Sequence, residues 1–429
     1  MAHTLTPKDV HALIDAIAGQ MQGEGQLGAI NTSDFVSAGE SLLAAGLENT
    51  LNAFSLVLGR TFAAVRPYKA KGSIVDAMNT GEFTDRFRKI SFYSRYTQPS
   101  GDWNTQLFTN LYGGYDNGEN PNAGGTAQAT KSMWEQNPAI PLEMNFSGRS
   151  VWEDSTTIYK YQWKNAFRNE EEFARIAGGI MTEKGNDIEM QKEAFNRMAL
   201  LNLIAGTYDM DTASGGTRVV NLTALYNARF NTSYTSAQLR STYLRSFLEF
   251  MTAVIRQYSD RLEYRSVHYH WYPAKTDAAG NSVHLLRHTP KSRQKLALYG
   301  PLFKDAEAMV MPEIFNPRYL DLANYESFDY WQYFDYDLSP SGTSASISVT
   351  PAIPNTTNPA TQTAGSAVAL DYVVGILFDR DACMVDYQLD DAEVTPLEAR
   401  KRYYNMWWSF AKNAIVDFTE NSVVFIMAD

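Results

Sequence analysis

The chain has 429 residues, 44% of them hydrophobic, so it can bury the cores of two or three domains. Its 37 Lys and Arg against 48 Asp and Glu give a net charge of −11 without a clear basic cluster, which argues against binding nucleic acid through phosphate neutralisation. The single Cys383 excludes an internal disulfide, and no apolar run reaches membrane-spanning length. Because no basic and apolar leader follows Met1, we expect a soluble chain made in a reducing compartment.

The first elements in chain order are two helices. Residues 6–9, Thr-Pro-Lys-Asp, predict a helix start with Thr as the N-cap and Pro at the first helical position. Ser33 precedes a second helical pattern. The apolar positions of that pattern are Phe35, Val36, Leu42, Leu43, Leu47, Leu51, Phe54 and Leu58. We interpret residues 1–80 as an N-terminal helical arm.

Residues 81–168 predict a long extended loop. Two extended segments, Ser91–Tyr96 and Met144–Trp163, flank a run of turn-forming residues at 113–126. A structureless loop of this length does not suit a compact domain, so we expect the ribbon to lie on a neighbouring subunit. The aromatic residues predicted to contact other subunits are Trp103, Phe108, Tyr112, Trp134 and Trp152.

A long amphipathic helix follows at about Glu170–Tyr208, with apolar residues near helical spacing. It would span roughly 55 Å, and Gly178, Gly179 or Gly185 would bend it. We assign residues 169–216 and 381–429 to one domain built on this helix. Residues 217–380 are predicted to form a second, mixed α/β domain.

Several elements are predicted within the second domain. Thr235-Ser-Ala-Gln238 is a capping box that opens a helix reaching Leu262. Ala367–Phe378 reads as a buried central strand. Shorter strands are predicted at Ser266–Tyr272, His284–His288, Leu296–Leu302 and Ser346–Thr350.

Two elements are predicted at the C-terminus. Thr395-Pro-Leu-Glu398 is a second capping box, and it predicts a helix that continues through Met406, Trp407, Phe410 and Ala414. Val423–Met427 is predicted to close the chain as a strand. The chain contains no internal repeat.

The order of these elements and three segments resemble a known family. The segments are Leu296-Ala-Leu-Tyr-Gly-Pro-Leu-Phe303, Val373-Val-Gly-Ile-Leu-Phe-Asp-Arg-Asp-Ala382 and Arg402-Tyr-Tyr-Asn-Met-Trp-Trp-Ser-Phe410. Together they resemble the major capsid protein of tailed double-stranded DNA phages, particularly short-tailed ones, whose fold is shared with encapsulins. The resemblance implies an α+β fold with an N-terminal arm, an extended β loop, a spine helix in a peripheral domain (169–216 and 381–429) and an axial domain (217–380).

The resemblance also implies a function and partners. We expect a non-enzymatic subunit that assembles through pentamers and hexamers into an icosahedral shell around phage DNA, without specific DNA binding. Possible partners of such a subunit are a scaffolding protein, a portal and minor capsid proteins. It would be assembled in the host cytoplasm and reside in the virion. No Lys–Asn pair for covalent crosslinking can be assigned. The alternatives are an encapsulin-like cargo shell and an aromatic-rich glycan-binding protein.

Four groups of residues could carry chemistry, and each has a plainer interpretation. His268, His270, His284 and His288 could bind zinc, but no Cys or clear carboxylate completes the set, which favours hydrogen-bonded histidines. Asp390, Asp391 and Glu393 form an acidic stretch, predicted as a turn, that lacks the spacing of a calcium loop. Cys383, after a buried strand, is expected to be inert.

The fourth group is a dense aromatic run between residues 325 and 336. Exposed, it would make a sugar-stacking platform; buried, it would form a core or a subunit contact. Its members are Tyr325, Phe328, Tyr330, Trp331, Tyr333, Phe334 and Tyr336. No nucleophile elbow, phosphate loop or dinucleotide motif is found, so we predict no catalytic, cofactor or metal residue.

Overall fold

A computed structural model of the chain describes residues 72, 74–78, 86–94, 138–148, 150–159, 170–214, 216–276, 282–302, 304, 325–332, 345–356, 358–359 and 361–429. These residues combine helices with several β-sheets, which confirms the α+β class. The helices are α1 (Glu170–Ser214), α2 (Leu222–Phe230), α3 (Ser236–Arg240) and α4 (Leu244–Leu262).

The strands fall into a longer and a shorter group. The strands of five or more residues are β2 (Arg86–Phe92), β3 (Pro141–Ser147), β4 (Ser150–Tyr159), β8 (Gln294–Tyr299), β14 (Val373–Asp379), β15 (Cys383–Val394), β16 (Tyr403–Val416) and β17 (Ser422–Ile426). The shorter ones are β1 (Asp76–Met78), β5 (Val219–Asn221), β6 (Lys275–Thr276), β7 (Ser282–Val283), β9 (Tyr325–Phe328), β10 (Ile347–Val349), β11 (Ala352–Pro354), β12 (Gln362–Ala364) and β13 (Val368–Leu370).

A five-stranded sheet forms the centre of the core, in the order β5-β17-β14-β8-β9. All residues of β8, β14 and β17 are buried, as expected for strands covered on both faces. Gly375 in β14 is required because a Cβ there would lie 2.5 Å from the carbonyl oxygen of Ala297. The predicted buried strand at 367–378 is therefore confirmed, although it is divided into β13 and β14.

A four-stranded sheet has the order β1-β15-β16-β4. The strands β15 and β16 are antiparallel along almost their whole length, and β4 continues the sheet on the far side of β16. Helix α1 contacts both β15 and β16, and it also contacts β17 of the other sheet. The helix therefore connects the two sheets through one continuous hydrophobic core.

The predicted long helix is confirmed as the single helix α1, which continues beyond Tyr208 to Ser214. Gly216 follows with a φ of 71°, and its N–H donates to the carbonyl of Asp211, a typical glycine stop signal after a helix. The Asp211 carboxylate also accepts N–H groups of Thr217, Arg218 and Val219, which fixes the chain that leaves the helix. The bend predicted near Gly178–Gly179 or Gly185 stays a prediction.

The Thr235 capping box is confirmed, since the Thr235 side chain accepts from the Gln238 backbone and the Gln238 side chain accepts from the Thr235 backbone. The single helix predicted to follow it is wrong. Helix α3 ends at Arg240 and α4 begins at Leu244, and at Ser241 between them the hydroxyl donates to the Ala237 carbonyl, a side-chain bond that competes with regular helical bonding.

The predicted C-terminal helix through Met406, Trp407, Phe410 and Ala414 is wrong, because these residues belong to strand β16. From Tyr404 to Phe410, buried side chains alternate with more exposed ones, which is the period of a strand. Glu398 and Tyr403 instead close a hairpin turn in which Arg402 has a φ of 56°. The acidic turn predicted at Asp390, Asp391 and Glu393 is also wrong, since these residues lie within β15.

The N-terminal arm predicted for residues 1–80 lies mostly outside the described residues, as does the turn-rich run at 113–126. Among the other short strands, Ser346–Thr350 is confirmed by β10, and Leu296–Leu302 overlaps β8. Ser266–Tyr272 is not a strand and makes only an isolated bridge between Ser266 and Arg287.

Candidate assembly surfaces

Strands β2 and β3 form an antiparallel hairpin on either side of residues 95–137. One face of the hairpin packs on this chain, where Leu142, Met144 and Phe146 meet Leu285 and Ile415. These side chains alternate along β3, so their neighbours in the strand point away from the core. The hairpin is therefore attached to the fold along this face.

A buried ion network strengthens this attachment. The Lys89 ammonium group of β2 contacts the carboxylates of Asp417 and Glu420, the latter at 2.5 Å. Arg287 lies 3.3 Å from Glu420 and donates to the Ser91 hydroxyl at 2.6 Å. Burial alone would lower the pKa of Lys89, but the charges of Asp417 and Glu420 outweigh it and raise that pKa above its usual value.

The opposite face of the hairpin is exposed and apolar near residues 95–137. Ile90 is 50% exposed and Phe92 is 60% exposed, both on the same face of β2. Large apolar side chains exposed together on one strand face are typical of a surface that another molecule covers. The hairpin thus has one face fixed to its own chain and one face available to a partner.

A second exposed surface lies on the sheet formed by β4 and β16. Among the described strands, β4 is an edge strand of the sheet, and along β4 the less and more exposed side chains alternate. The outer face carries Val151, Tyr159 and Trp407, the last 41% exposed. Tyr159 contacts Tyr403 edge to face across the strand pair. A partner could bind this face through aromatic contacts or pair with the free edge of β4.

The inner face of the same sheet packs on α1. Lys184 of the helix lies 2.6 Å from the Asp154 carboxylate of β4 and 5.4 Å from the centre of the Trp408 ring. Trp152 lies on this inner side, with the Lys412 ammonium group 4.8 Å from its ring centre. The helix and the sheet are therefore joined by both charged and aromatic contacts.

Lys412 is the least favourable residue of this interface. Lys412 is 1% exposed, and within the described part of the chain its ammonium nitrogen has no hydrogen-bond partner. The rings of Trp152 and Phe195 are its nearest compensation. Burial, with a contribution from the nearby Lys192 charge, lowers the pKa of Lys412 to about 8.

The predicted subunit-contact residues can now be placed in part. Trp103, Phe108, Tyr112 and Trp134 lie outside the described residues. Trp152 is half-buried within its own chain, where its indole N–H donates to the Ser150 hydroxyl at 2.9 Å. Its role as a contact to other subunits stays a prediction. The exposed Trp407 on the other face was missed because residues 402–410 were interpreted as a helix.

The histidines are held by hydrogen bonds. His270 is buried, and its ring nitrogens lie 3.2 Å from the Asn421 side-chain oxygen and 2.8 Å from the Leu285 carbonyl. Burial lowers its pKa to about 3, so the ring is neutral at physiological pH. His284 pairs with the Tyr272 hydroxyl at 2.8 Å. In the described ranges, no three His, Cys, Asp or Glu side chains are grouped to hold a metal ion.

The other candidate residues are also placed. Burial raises the pKa of the Cys383 thiol to about 12, so it is protonated and unreactive, as predicted. Phe328 and Trp331 are buried, and the Trp331 indole donates to the Val373 carbonyl at 2.9 Å. These two aromatics belong to the core and not to a sugar-binding platform. Residues 333–336 of the same run lie outside the described residues.

Comparisons with known proteins give matches only among solved structures. No family model matches the chain, and no curated protein matches it. The chain is similar to the capsid structure of Staphylococcus phage Andhra, at 10% identity over 86% of each chain with a TM-score of 0.48. It is also similar to a chain from a structure of the head fibre and inner core protein of bacteriophage P68, at 9% identity over 85% of this chain and 86% of that one, with a TM-score of 0.49.

A third similar structure is the capsid of the cyanophage P-SCSP1u. It is 11% identical over 85% of this chain and 90% of the matched chain, with a TM-score of 0.41. In the described residues, no helix is both long and apolar enough to cross a membrane.

The first prediction concerns the ion network at the base of the hairpin. Lys89→Met leaves the carboxylates of Asp417 and Glu420 without this cation, and we expect the free energy of unfolding to fall by about 2–3 kcal/mol at neutral pH. Urea unfolding at equilibrium measures this change. Arg88→Met is the control. Arg88 directly precedes Lys89 and forms an exposed ion pair with Glu143, so its loss should have no measurable effect. Equal effects of both substitutions would contradict the network.

The second prediction concerns Lys412. Its pKa is about 8 in the folded chain, against an ordinary value of 10.5 for a lysine in the unfolded chain. The unfolded chain therefore binds more protons between these two pH values, and wild-type stability rises with pH there. Lys412→Met removes the cost of burying the charge. At pH 7 it should stabilise the protein by about 2 kcal/mol, and this gain should shrink as the pH rises towards 10.5.

The matched control for Lys412 lies on the other side of the same interface. Lys184→Met removes the contact with Asp154 and should destabilise the protein, the opposite sign to Lys412→Met. Thermal unfolding of the three proteins across the pH range provides the measurement. A loss of stability on Lys412→Met at pH 7 would show that the ammonium group has a partner that compensates its burial.

Proposed function

We propose that this protein is the major capsid protein of a tailed phage with a short tail, and that many copies form a closed shell around DNA. One observation carries the proposal: two separate surfaces of the chain expose large apolar side chains among polar ones. They are Ile90 and Phe92 on the β2–β3 hairpin, and Val151, Tyr159 and Trp407 on the β4–β16 sheet. Two different surfaces that bind each other form a head-to-tail contact, and repetition of such contacts builds rings and shells.

The arrangement of the hairpin supports this role. Lys89 and the buried side chains of β3 hold the two strands that flank residues 95–137 firmly on the fold. The proposed contacts of Trp103, Phe108, Tyr112 and Trp134 would bury this excursion on a neighbouring copy. Trp152 would contribute from the base of the same excursion.

A division into domains follows from the same proposal. The peripheral domain would comprise residues 169–216 and 381–429 around α1, and the axial domain residues 217–380, preceded by the arm at 1–80 and the loop at 81–168. Strand β17 pairs with β14 and β5, so the two domains would share the five-stranded sheet. Such sharing would make the subunit a stiff unit, suited to tiling a surface.

The proposed work is mechanical, with no catalytic step. Assembly would proceed through pentamers and hexamers in the host cytoplasm, with a scaffold, a portal and minor capsid proteins as proposed partners. The glycan-binding alternative loses support because Phe328 and Trp331 are buried. An encapsulin-like shell would use the same surfaces, and the contents of purified particles separate the two, since a capsid encloses phage DNA.

The third prediction tests the proposed intersubunit loop. Deleting residues 113–126 removes mostly turn-forming residues, so each copy should fold while shell assembly is impaired. Circular dichroism measures the fold and sedimentation velocity measures assembly. Substituting the same residues with a Gly/Ser segment of equal length is the control for chain continuity. Shells of normal size and heat resistance after the deletion would show that residues 113–126 are not needed for contacts between subunits.

The fourth prediction concerns DNA. With a net charge of −11 and no clear basic cluster, purified subunits should bind DNA weakly at physiological salt. Fluorescence anisotropy with labelled duplex DNA over a range of salt concentrations measures this. Submicromolar affinity that falls steeply with salt would contradict the proposal that the subunit encloses DNA without binding its phosphates.

A further inference from the structure

A groove of about 830 Å³ lies beside α1, outside the surfaces proposed for assembly. One wall is a stripe of α1 formed by Met190, Ala194, Met198 and Leu201, at helical spacing. Met190 is 61% exposed and Met198 is 49% exposed. The opposite wall is made by Trp331, Val349 and Pro351.

The main polar groups around this groove are already satisfied within the chain. Arg197 donates to Glu193 at 2.8 Å and stacks on the Tyr330 ring, 3.9 Å from its centre. Asn202 exchanges two hydrogen bonds with the backbone of Ala352, and Gln332 does the same with the backbone of Ser348. A molecule that fills the groove would therefore gain mainly from burying apolar side chains, and flexible Met side chains adapt well to such a surface.

The N-terminal segment of the same chain ends next to this groove. Gly72 lies between α1 and β9: its N–H donates to Glu326 at 2.6 Å, and its carbonyl accepts from the Asn196 side chain at 3.4 Å. Asn196 is adjacent in sequence to Arg197, which lines the groove. The residues between Leu58 and Gly72 could span up to about 46 Å if extended, so the preceding segment can reach every part of the groove.

The sequence of that segment matches the groove. Leu43, Leu47, Leu51, Phe54 and Leu58 follow one another at steps of four, four, three and four, which predicts one apolar face of a helix. Between residues 43 and 58 the only charged side chain is Glu48, so little charge would be desolvated. We propose that residues 43–58 bind as an amphipathic helix in the groove of their own chain, with the apolar face against Met190 and Met198.

This placement would cover the exposed Met190 and Met198 of α1. It goes beyond shell formation, because an intrachain helix can bind its groove in a single subunit as well as in a particle. Residues 333–344, which follow Gln332 in the sequence, are a competing occupant. They carry Asp335, Asp337, Pro340 and Gly342 and no helical apolar stripe, which favours the N-terminal segment.

Crosslinking tests the contact directly in the full-length chain. Cys383→Ala removes the natural thiol, and Met198→Cys is then combined with Leu47→Cys, Leu51→Cys or Phe54→Cys. A short bismaleimide is added, and linked peptides are identified by mass spectrometry. Asn49→Cys, on the opposite side of the predicted helix, is the matched control. Isotope-labelled and unlabelled copies are mixed beforehand, so that links within a chain are distinguished from links between chains.

We expect the apolar-face positions to link to residue 198 in higher yield than residue 49, in peptides that carry a single label state. Equal yields from residues 49 and 51 would overturn the proposal. Links that mix labelled and unlabelled peptides would overturn it in favour of a second copy. A higher yield from Phe334→Cys than from all the N-terminal positions would assign the groove to residues 333–344. Each result is independent of whether shells form.

Limited proteolysis provides a second measurement that needs no engineered thiol. Met198→Asp places a charge in the groove at an exposed position, so the fold is retained while the helix is released. Burial of one such side chain is worth 1.5 kcal/mol or more, so cleavage within residues 43–58 should be at least about tenfold faster. Glu183→Ala, on an exposed position of α1 away from the groove, is the control. Equal cleavage rates in both variants would contradict the proposal.

Discussion

The pairing of β16 with β15 on one side and β4 on the other is the interaction on which the rest of the structure depends. It joins residues 150–159 to residues 403–416, which are far apart in the sequence. The resulting sheet supplies the surface on which α1 lies, and its outer face presents Trp407. Without this pairing, β4 would have no partner among the described strands. The pairing therefore holds β4 to the C-terminal strands.

A lysine lies at each of two contacts, one under the β2–β3 hairpin and one between α1 and the β4–β16 sheet, and among the described residues only the first has carboxylate partners. At the hairpin base, Lys89 is surrounded by Asp417 and Glu420, so its charge is compensated and the contact is strong. At the helix–sheet interface, Lys412 lies beside aromatic rings and has no hydrogen-bond partner among the described residues, so its charge weakens the contact. The fold therefore holds the hairpin base firmly, while the packing of α1 on the sheet carries an unfavourable buried cation.

The sequence predicts those elements whose signals are local. The Thr235 capping box, the continuous periodicity of α1 and the apolar run of β14 each lie within a single segment, and each is present. Residues 403–416 were misassigned because Met406, Phe410 and Ala414 also satisfy a helical spacing after a good capping box. The alternation of Tyr404, Met406, Trp408 and Phe410 was the signal that favours a strand, and pairing with β4 and β15 decides between the two.

The candidate surfaces were only partly predictable for the same reason. The sequence predicts extended segments at Ser91–Tyr96 and Met144–Trp163, which overlap β2 and β3 only in part and include β4. The network of Lys89, Asp417 and Glu420 joins residues more than 300 positions apart and leaves no local trace. Lys412 reads as an ordinary charged residue in the sequence, and only the packing of Trp152 and Phe195 around it shows that it is buried. The Lys89 network and the burial of Lys412 thus depend on contacts between distant residues, which local sequence patterns do not predict.

The most direct test of the proposed function is the size and shape of the purified full-length protein. Light scattering combined with negative-stain electron microscopy measures both on one sample. The account predicts rings or closed particles of uniform diameter, built from many 48.1 kDa copies. A stable monomer in which residues 100–160 are ordered without any partner would contradict it.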